Sequence, residues 1–166
     1  RALMDACGQG GDEPWARWGA RGDAETAIDA TWGISHLTES EHDPLDALLS
    51  MSADGGACPR VVRQLVSNLK SNTPSLRVAS LRVVGNLVTG TEEHVKAVVA
   101  AGFLDRIVGL MQDSKRTLRK EACWALSNIT ADSDRHKHQV IAVPQCAATL
   151  LKRVQDERDV AKEATW

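Results

Sequence analysis

Residues 120–131 read KEACWALSNITA, and forty-two residues further on, 162–166 read KEATW. Forty-two residues earlier, 81–90 read LRVVGNLVTG, which sets Arg82 under Trp124 and Asn86 under Asn128. A fourth copy, IDATWGISHLT at 28–38, has Trp32 in the Trp place and His36 in the Asn place. The step from Trp32 to Arg82 is fifty residues, so this link carries about eight more than the period. A recurrence of this length signals a repeat protein, in which no unit can bury its apolar face alone and stacking completes the core.

The interior of the period is helical. Behind the breakers Pro59, Gly102 and Pro144 come apolar residues at helical spacing: Val61, Val62, Leu65, Val66 and Leu69, then Phe103, Leu104, Ile107, Val108 and Met111, then Leu150, Leu151 and Val154. Shorter helices are expected before these, at 44–52, 92–101 and 134–142. The motif itself falls on third helices at 24–38, 75–89, 116–131 and 158–166. Three helices in forty-two residues match the armadillo pattern, so the expected fold is all-α, an armadillo-type right-handed α-solenoid. The expected units are 1–39, a partial repeat with a loop insertion at the Gly-rich 8–23; 40–90, a repeat holding the eight-residue excess; 91–132; and 133–166, a truncated repeat. The chain opens mid-pattern at Arg1 and stops inside a motif at Trp166, as expected for a piece of a longer array.

Composition narrows the function classes. Hydrophobic residues make up 43% of the chain, with one Phe and no Tyr, which favours aliphatic helix packing over a β-sandwich. The net charge of −2 supplies no positive field for nucleic acid. No apolar run approaches the ~20 residues of a membrane-spanning helix. Cys7, Cys58, Cys123 and Cys146 form no CxxC pair and read as reduced thiols of an intracellular protein, without zinc. GQGG at 8–11 lacks the GK[ST] of a phosphate loop. The i, i+2 spacing of His136 and His138 suits a solvated helix better than a metal site. No nucleophile–base set emerges, so neither an enzyme nor a cofactor is expected.

The motif face carries the chemistry. On a helix, positions i, i+3 and i+7 share one side. Glu121, Trp124 and Asn128 have that spacing, as do Asp29, Trp32 and His36; Ala79, Arg82 and Asn86 occupy it once, and Glu163 with Trp166 begins it again. Core packing on the same helix is already supplied by Leu118, Ala122, Ala125, Leu126 and Ile129, so the mixed stripe is free for binding. Stacked units would turn it into a ladder of carboxylate, indole and amide along a concave groove. Such a ladder suits an extended basic peptide: an Asn amide pairs with unpaired backbone groups, indoles attract Lys or Arg, and carboxylates add charge-assisted bonds. An armadillo scaffold for a different protein partner would need a basic groove instead, and an RNA- or DNA-binding solenoid would need a basic stripe, for which only Arg82 speaks.

At these residues the sequence resembles the importin-α (karyopherin-α) family, most clearly over 76–166, where LRVVGNLVTG, KEACWALSNITA and KEATW follow one another and Arg82 stands in a Trp place. The match is to the C-terminal half of that family's armadillo domain. The resemblance implies a nuclear import adaptor that binds Lys/Arg-rich nuclear localisation signal peptides and shuttles between cytoplasm and nucleus. It further implies that Trp124, Asn128 and Trp166 lie on the minor signal-binding site, with Glu121 and Glu163 as acidic partners and Asn86 and Val88 beside them. Arg82 would interrupt the Trp array, and Asp29, Trp32 and His36 would line the approach to the major site. His36 departs from the Tyr or Asn usual in the family. Importin-β is implied as a partner of the full-length protein, through a basic N-terminal segment that these residues do not include.

Overall fold

Local punctuation sets where each helix begins. Thr73 is extended (φ −89°, ψ 106°) and Pro74 follows in the first helical turn, where its missing N–H would have had no partner. Thr91 and Ser133 cap two further helices, each with a histidine three residues on that reaches back to the cap. Gly102 has a left-handed backbone (φ 83°), and so does Gln145 (φ 62°). The sequence reading placed the third breaker at Pro144; the left-handed residue equivalent to Gly102 is Gln145, one position later. The unit is then one residue shorter before Trp166, which restores the forty-two-residue step between Trp124 and Trp166.

A computed structural model of the chain describes residues 24–39, 43–50 and 58–166. The loop expected at 8–23 lies outside these residues, as do 40–42 and 51–57 in the unit that holds the eight-residue excess. The helices are α1 (Ala24–Thr38), α2 (Asp43–Ser50), α3 (Arg60–Asn68), α4 (Pro74–Leu87), α5 (Glu92–Ala100), α6 (Leu104–Met111), α7 (Arg116–Asp132), α8 (Asp134–Ala142), α9 (Cys146–Arg153) and α10 (Arg158–Thr165). No strand occurs among the described residues.

The third helices form a row: α1 packs on α4, α4 on α7 and α7 on α10. On the other side α2 packs on α5, and α6 on α9. Each unit thus stacks on the next through equivalent helices, which is an α-solenoid. The core runs unbroken along it, with Ile34, Leu48, Leu81, Leu87, Phe103, Ile107, Met111, Leu118, Leu126 and Ile129 all essentially inaccessible. Full burial of one such side chain stabilises by ~1.5–3 kcal/mol before entropy is counted. His136, expected on a solvated helix, is buried at 2% exposure, with Nδ1 2.7 Å from Asp132 Oδ2. Its equivalent His94 is buried too, and accepts the Thr91 N–H at Nδ1. A buried imidazole therefore completes the N-terminal cap of the first helix in two successive units.

Ion pairs lock the register between units. Arg77 on α4 pairs with Asp113 at the end of α6. One period on, Arg119 on α7 donates from Nε and Nη2 to Asp156 beyond α9 (2.8 and 3.0 Å), and Arg153 donates to the same carboxylate (2.7 Å). The Arg119 and Asp156 side chains are 12% and 9% exposed, so this fork is worth more than a surface pair. The Arg119 hydrogen bond lowers the Asp156 pKa, outweighing the opposing effect of burial, with help from the Glu157 N–H and Arg153.

Two outcomes are expected. A folded pKa below the unfolded value of ~4 means that Asp156 contributes stability above about pH 4, lost as pH falls through the lower folded value. Arg119→Ala should cost about 1–2 kcal/mol at pH 7 and flatten acid denaturation between pH 5 and 2, read by circular dichroism. Gln145→Gly removes a left-handed strain of ~1–2 kcal/mol against an unfolded-state entropy cost of ~0.4–1 kcal/mol. Urea titration should therefore show a net gain of about 0.5–1 kcal/mol.

Candidate functional site

The row of third helices presents the repeated stripe on neighbouring rungs, and the rungs differ in how open they are. On α1, Asp29 and His36 are exposed and Trp32 is half-buried. The His36 ring stacks on Trp32, with centroids 6.1 Å apart and 27° between planes. Its Nδ1 lies 3.6 Å from Glu39.

The rung on α4 is closed by the protein itself. Asn86 is 5% exposed, and its amide nitrogen donates to the Ser35 carbonyl (3.1 Å) and the Thr38 hydroxyl (2.9 Å) on α1. Val88 is 3% exposed and belongs to the core. Asn86 thus links α4 to α1, and Val88 fills space between the helices. Arg82 donates from Nη1 to both oxygens of Glu121 on α7 (2.9 and 3.0 Å). Its Nε lies 3.4 Å from Glu39, and its Cζ sits 5.3 Å from the centre of the Trp124 ring. Burial pulls the Arg82 pKa down, but Glu121 and then Glu39 more than offset this, and the net shift is upward. The guanidinium is fixed in its charged form.

The rung on α7 is half open. Glu121 is buried and committed to Arg82, while Trp124 and Asn128 are half-buried. The Asn128 amide nitrogen is buried and has no hydrogen-bond partner among the described residues. Register explains the contrast with Asn86: Thr38 accepts from Asn86, and the residue in the corresponding place on α4 is Val88, which has no hydroxyl. On α10, Glu163 is half-buried and Trp166 is 91% exposed.

Sequence reasoning missed Glu39 and Gly85. Glu39 lies one residue beyond α1, outside the i, i+3, i+7 stripe, so helical spacing could not reveal it. Gly85 stands where the other copies have Ser35 and Ser127, in mid-helix, where glycine costs roughly 1 kcal/mol relative to alanine. That conspicuous cost is the signal. A Cβ at Gly85 would come within 2.8 Å of Trp124 Cε3 and closer still to Cζ3. The missing methyl lets the indole pack closely against α4 at Gly85, with Arg82 one turn away over the ring.

The cysteines offer little further chemistry. Cys58, Cys123 and Cys146 are buried. Burial pushes the Cys123 thiol up to about 12, against weaker opposition from Arg153, so at neutral pH it is protonated and a poor nucleophile.

Comparison with known proteins agrees with this architecture. The family model for the armadillo/beta-catenin-like repeat matches residues 91–131. Importin subunit alpha-1a of Oryza sativa subsp. japonica is 35% identical over 122 residues, covering 73% of this chain and 21% of the relative. Importin subunit alpha-2 of Arabidopsis thaliana is 33% identical over 146 residues, covering 87% of this chain and 26% of the relative. Among solved structures, a designed armadillo repeat protein in complex with the peptide (KR)4 superposes with TM-score 0.79 at 21% identity, covering all of this chain and 71% of that one. This last likeness is one of fold. The chain has the armadillo-repeat fold. Within that fold it is similar to the importin α subunits, and it spans about a fifth to a quarter of the length of these two relatives.

The contact of Gly85 with Trp124 sets two effects against each other. Gly85→Ala gains roughly 1 kcal/mol of helix propensity but drives a methyl into the indole, and overpacking costs about 1–3 kcal/mol. The clash should win. Net destabilisation and a red-shifted Trp124 emission, isolated by subtracting a Trp124→Phe background, are expected; a stabilised variant with unchanged emission would refute the close packing of Trp124 on Gly85.

Proposed function

We propose that the wall formed by α7 and α10 is part of a groove that receives extended Lys/Arg-rich peptides, and that the chain serves as part of a nuclear import adaptor for nuclear localisation signals. The observation that carries this reading is the α7 rung, with the half-buried Trp124 and an Asn128 amide nitrogen that no group among the described residues satisfies, beside Trp166 on the next rung. An unpaired buried donor costs ~1–3 kcal/mol, and turning the half-buried amide outward to a backbone carbonyl of an extended peptide would remove that cost. The indoles offer faces for Lys or Arg stems and cations, each worth ~0.5–2 kcal/mol. Glu163, half-buried on α10, provides a carboxylate for the second of them.

Two similarities support the reading. The importin α subunits are named for import, and a designed armadillo protein of the same fold is in complex with a Lys-Arg peptide. In this assignment Asp29, Trp32 and His36 extend the groove along α1. Importin-β would be a partner of the longer protein, and residence would alternate between cytoplasm and nucleus.

A second reading, an armadillo scaffold for another protein partner, draws on the Arg82–Glu121 pair. That pair withdraws one of the acidic groups a basic peptide would want and leaves a cation on the wall. The two readings differ in the charge of the ligand.

Fluorescence anisotropy with a fluorescein-labelled Lys/Arg-rich peptide separates them. The basic peptide should bind the 166-residue chain, and weaken as salt rises from about 50 to 300 mM as screening shortens the reach of its charges. Trp124→Ala should cost at least tenfold and Asn128→Ala several-fold, with unchanged helicity. Preference for an acidic peptide of equal length would favour the scaffold reading and overturn this one.

A further inference from the structure

A hollow of about 540 Å³ opens between the first and second helices of two successive units and shares no lining residue with the third-helix row. It arises because α8 stacks on α7 and α9, while its packing on α5 is slighter than that of α2 on α5 one unit earlier. Val99, Leu104, Val108, Val143 and Pro144 give it aliphatic walls, and the three valines are only partly buried. Two acceptors complete the lining. Asp105 is exposed, and its Oδ2 lies over the Gly102 turn, where a Cβ would come within 3.3 Å of it. Gln139 lines the hollow from α8, and its Oε1 is buried without a hydrogen-bond partner among the described residues.

The Asp105 carboxylate has no ion-pair partner among the described residues, and the reason lies one turn on. Gly109 stands at i+4 from Asp105 in the middle of α6, where glycine is an unfavourable residue. Nothing crowds the position: a Cβ there would meet no atom within 4 Å. Ser67 and Lys152 hold the corresponding places in the units on either side. A lysine at Gly109 would face Asp105 as an i, i+4 partner; the glycine leaves the carboxylate open.

We propose that this hollow is a binding site for a lysine side chain of a partner protein, with the walls taking the four-carbon stem and Asp105 and Gln139 taking the ammonium. The site stands apart from the groove reading. An ammonium has three donors and no acceptor, which matches a lining that supplies a carboxylate and an unpaired amide oxygen. The stem gains from apolar contact while the charged head stays at the water-exposed Asp105, the way long cationic side chains bury best. A modest turn of the half-buried Gln139 toward the hollow lets its oxygen accept from the bound cation. An apolar side chain would leave both acceptors unsatisfied, and an acidic one would meet Asp105.

NMR of the valine methyls tests the site, with the Val108 resonances assigned by their loss in Val108→Ile. Nα-acetyl-lysine methylamide should shift them saturably at millimolar concentrations, and bind more tightly than the norleucine analogue, which has the stem without the ammonium. Asp105→Asn should weaken the lysine probe about three- to fivefold, the size of one exposed ion pair. Gly109→Lys should weaken it at least as much while raising the melting temperature, because lysine is the better helix former and supplies Asp105 with a partner. Trp124→Ala should leave the Val108 response unchanged, which keeps this site separate from failure or success of the groove.

Equal affinity for norleucine and lysine in the unsubstituted chain would overturn the proposal and leave an apolar gap between units. Unchanged lysine affinity in Asp105→Asn would overturn it too. So would tighter binding of 1,4-diaminobutane than of the lysine probe, since the ligand would then be a free polyamine. Asp105 and Gly109 are both exposed, so circular dichroism should show full helicity in each variant; if Gly109→Lys does not fold, Asp105→Asn decides.

Discussion

The burial of each third helix between two others is the constraint on which the rest of the structure depends. α4 has α1 on one side and α7 on the other, and α7 has α4 and α10. None of these helices exceeds 17 residues, and isolated helices of that length are marginal in water. Their stability comes from Leu81, Leu87, Leu118, Leu126 and Ile129, which lose all contact with solvent only when the row is assembled. The Arg77–Asp113 and Arg119–Asp156 pairs then fix how far each unit slides against the next. Apolar burial supplies the energy, and the ion pairs supply the register.

The same stacking decides what the exposed edge of the row can do. A third helix offers its stripe to the groove only where the neighbouring helix does not claim it. α1 claims Asn86 through Ser35 and Thr38, and α7 claims Arg82 through Glu121. Trp124 is tied to α4 through a missing methyl at Gly85 and yet keeps part of its surface open. The result is a wall closed at α4 and half open at α7. Such a contrast places ligand contacts at particular rungs instead of spreading them evenly.

Much of this was legible in one dimension. The period through positions 82, 124 and 166 identifies which residues are equivalent, and helical spacing separates the core residues Leu118, Ala122, Ala125 and Ile129 from the mixed stripe Glu121, Trp124 and Asn128. His136 was misread because three neighbouring charged residues made its helix look solvated. Its ring turns inward to the cap formed by Ser133 and Asp132, and no local hydropathy pattern encodes that turn. Gln145 was missed for a similar reason, since proline is the louder signal and the left-handed residue beside it is not a glycine.

The amino-acid sequence by itself determined the helices, their grouping in threes, the repeat and the identity of the stripe, because these follow from spacings within a few turns of one chain segment. Only the tertiary structure decided which stripe residues remain available. Asn86 and Asn128 are equivalent by sequence, but one meets Thr38 across the interface and the other corresponds in register to Val88. Arg82 and Trp124 are equivalent as well, and they end up one upon the other. Those outcomes depend on partners 39 to 51 residues away, where the strength of a hydrogen bond or cation–π contact is set by the geometry of stacking, which residue spacing does not contain.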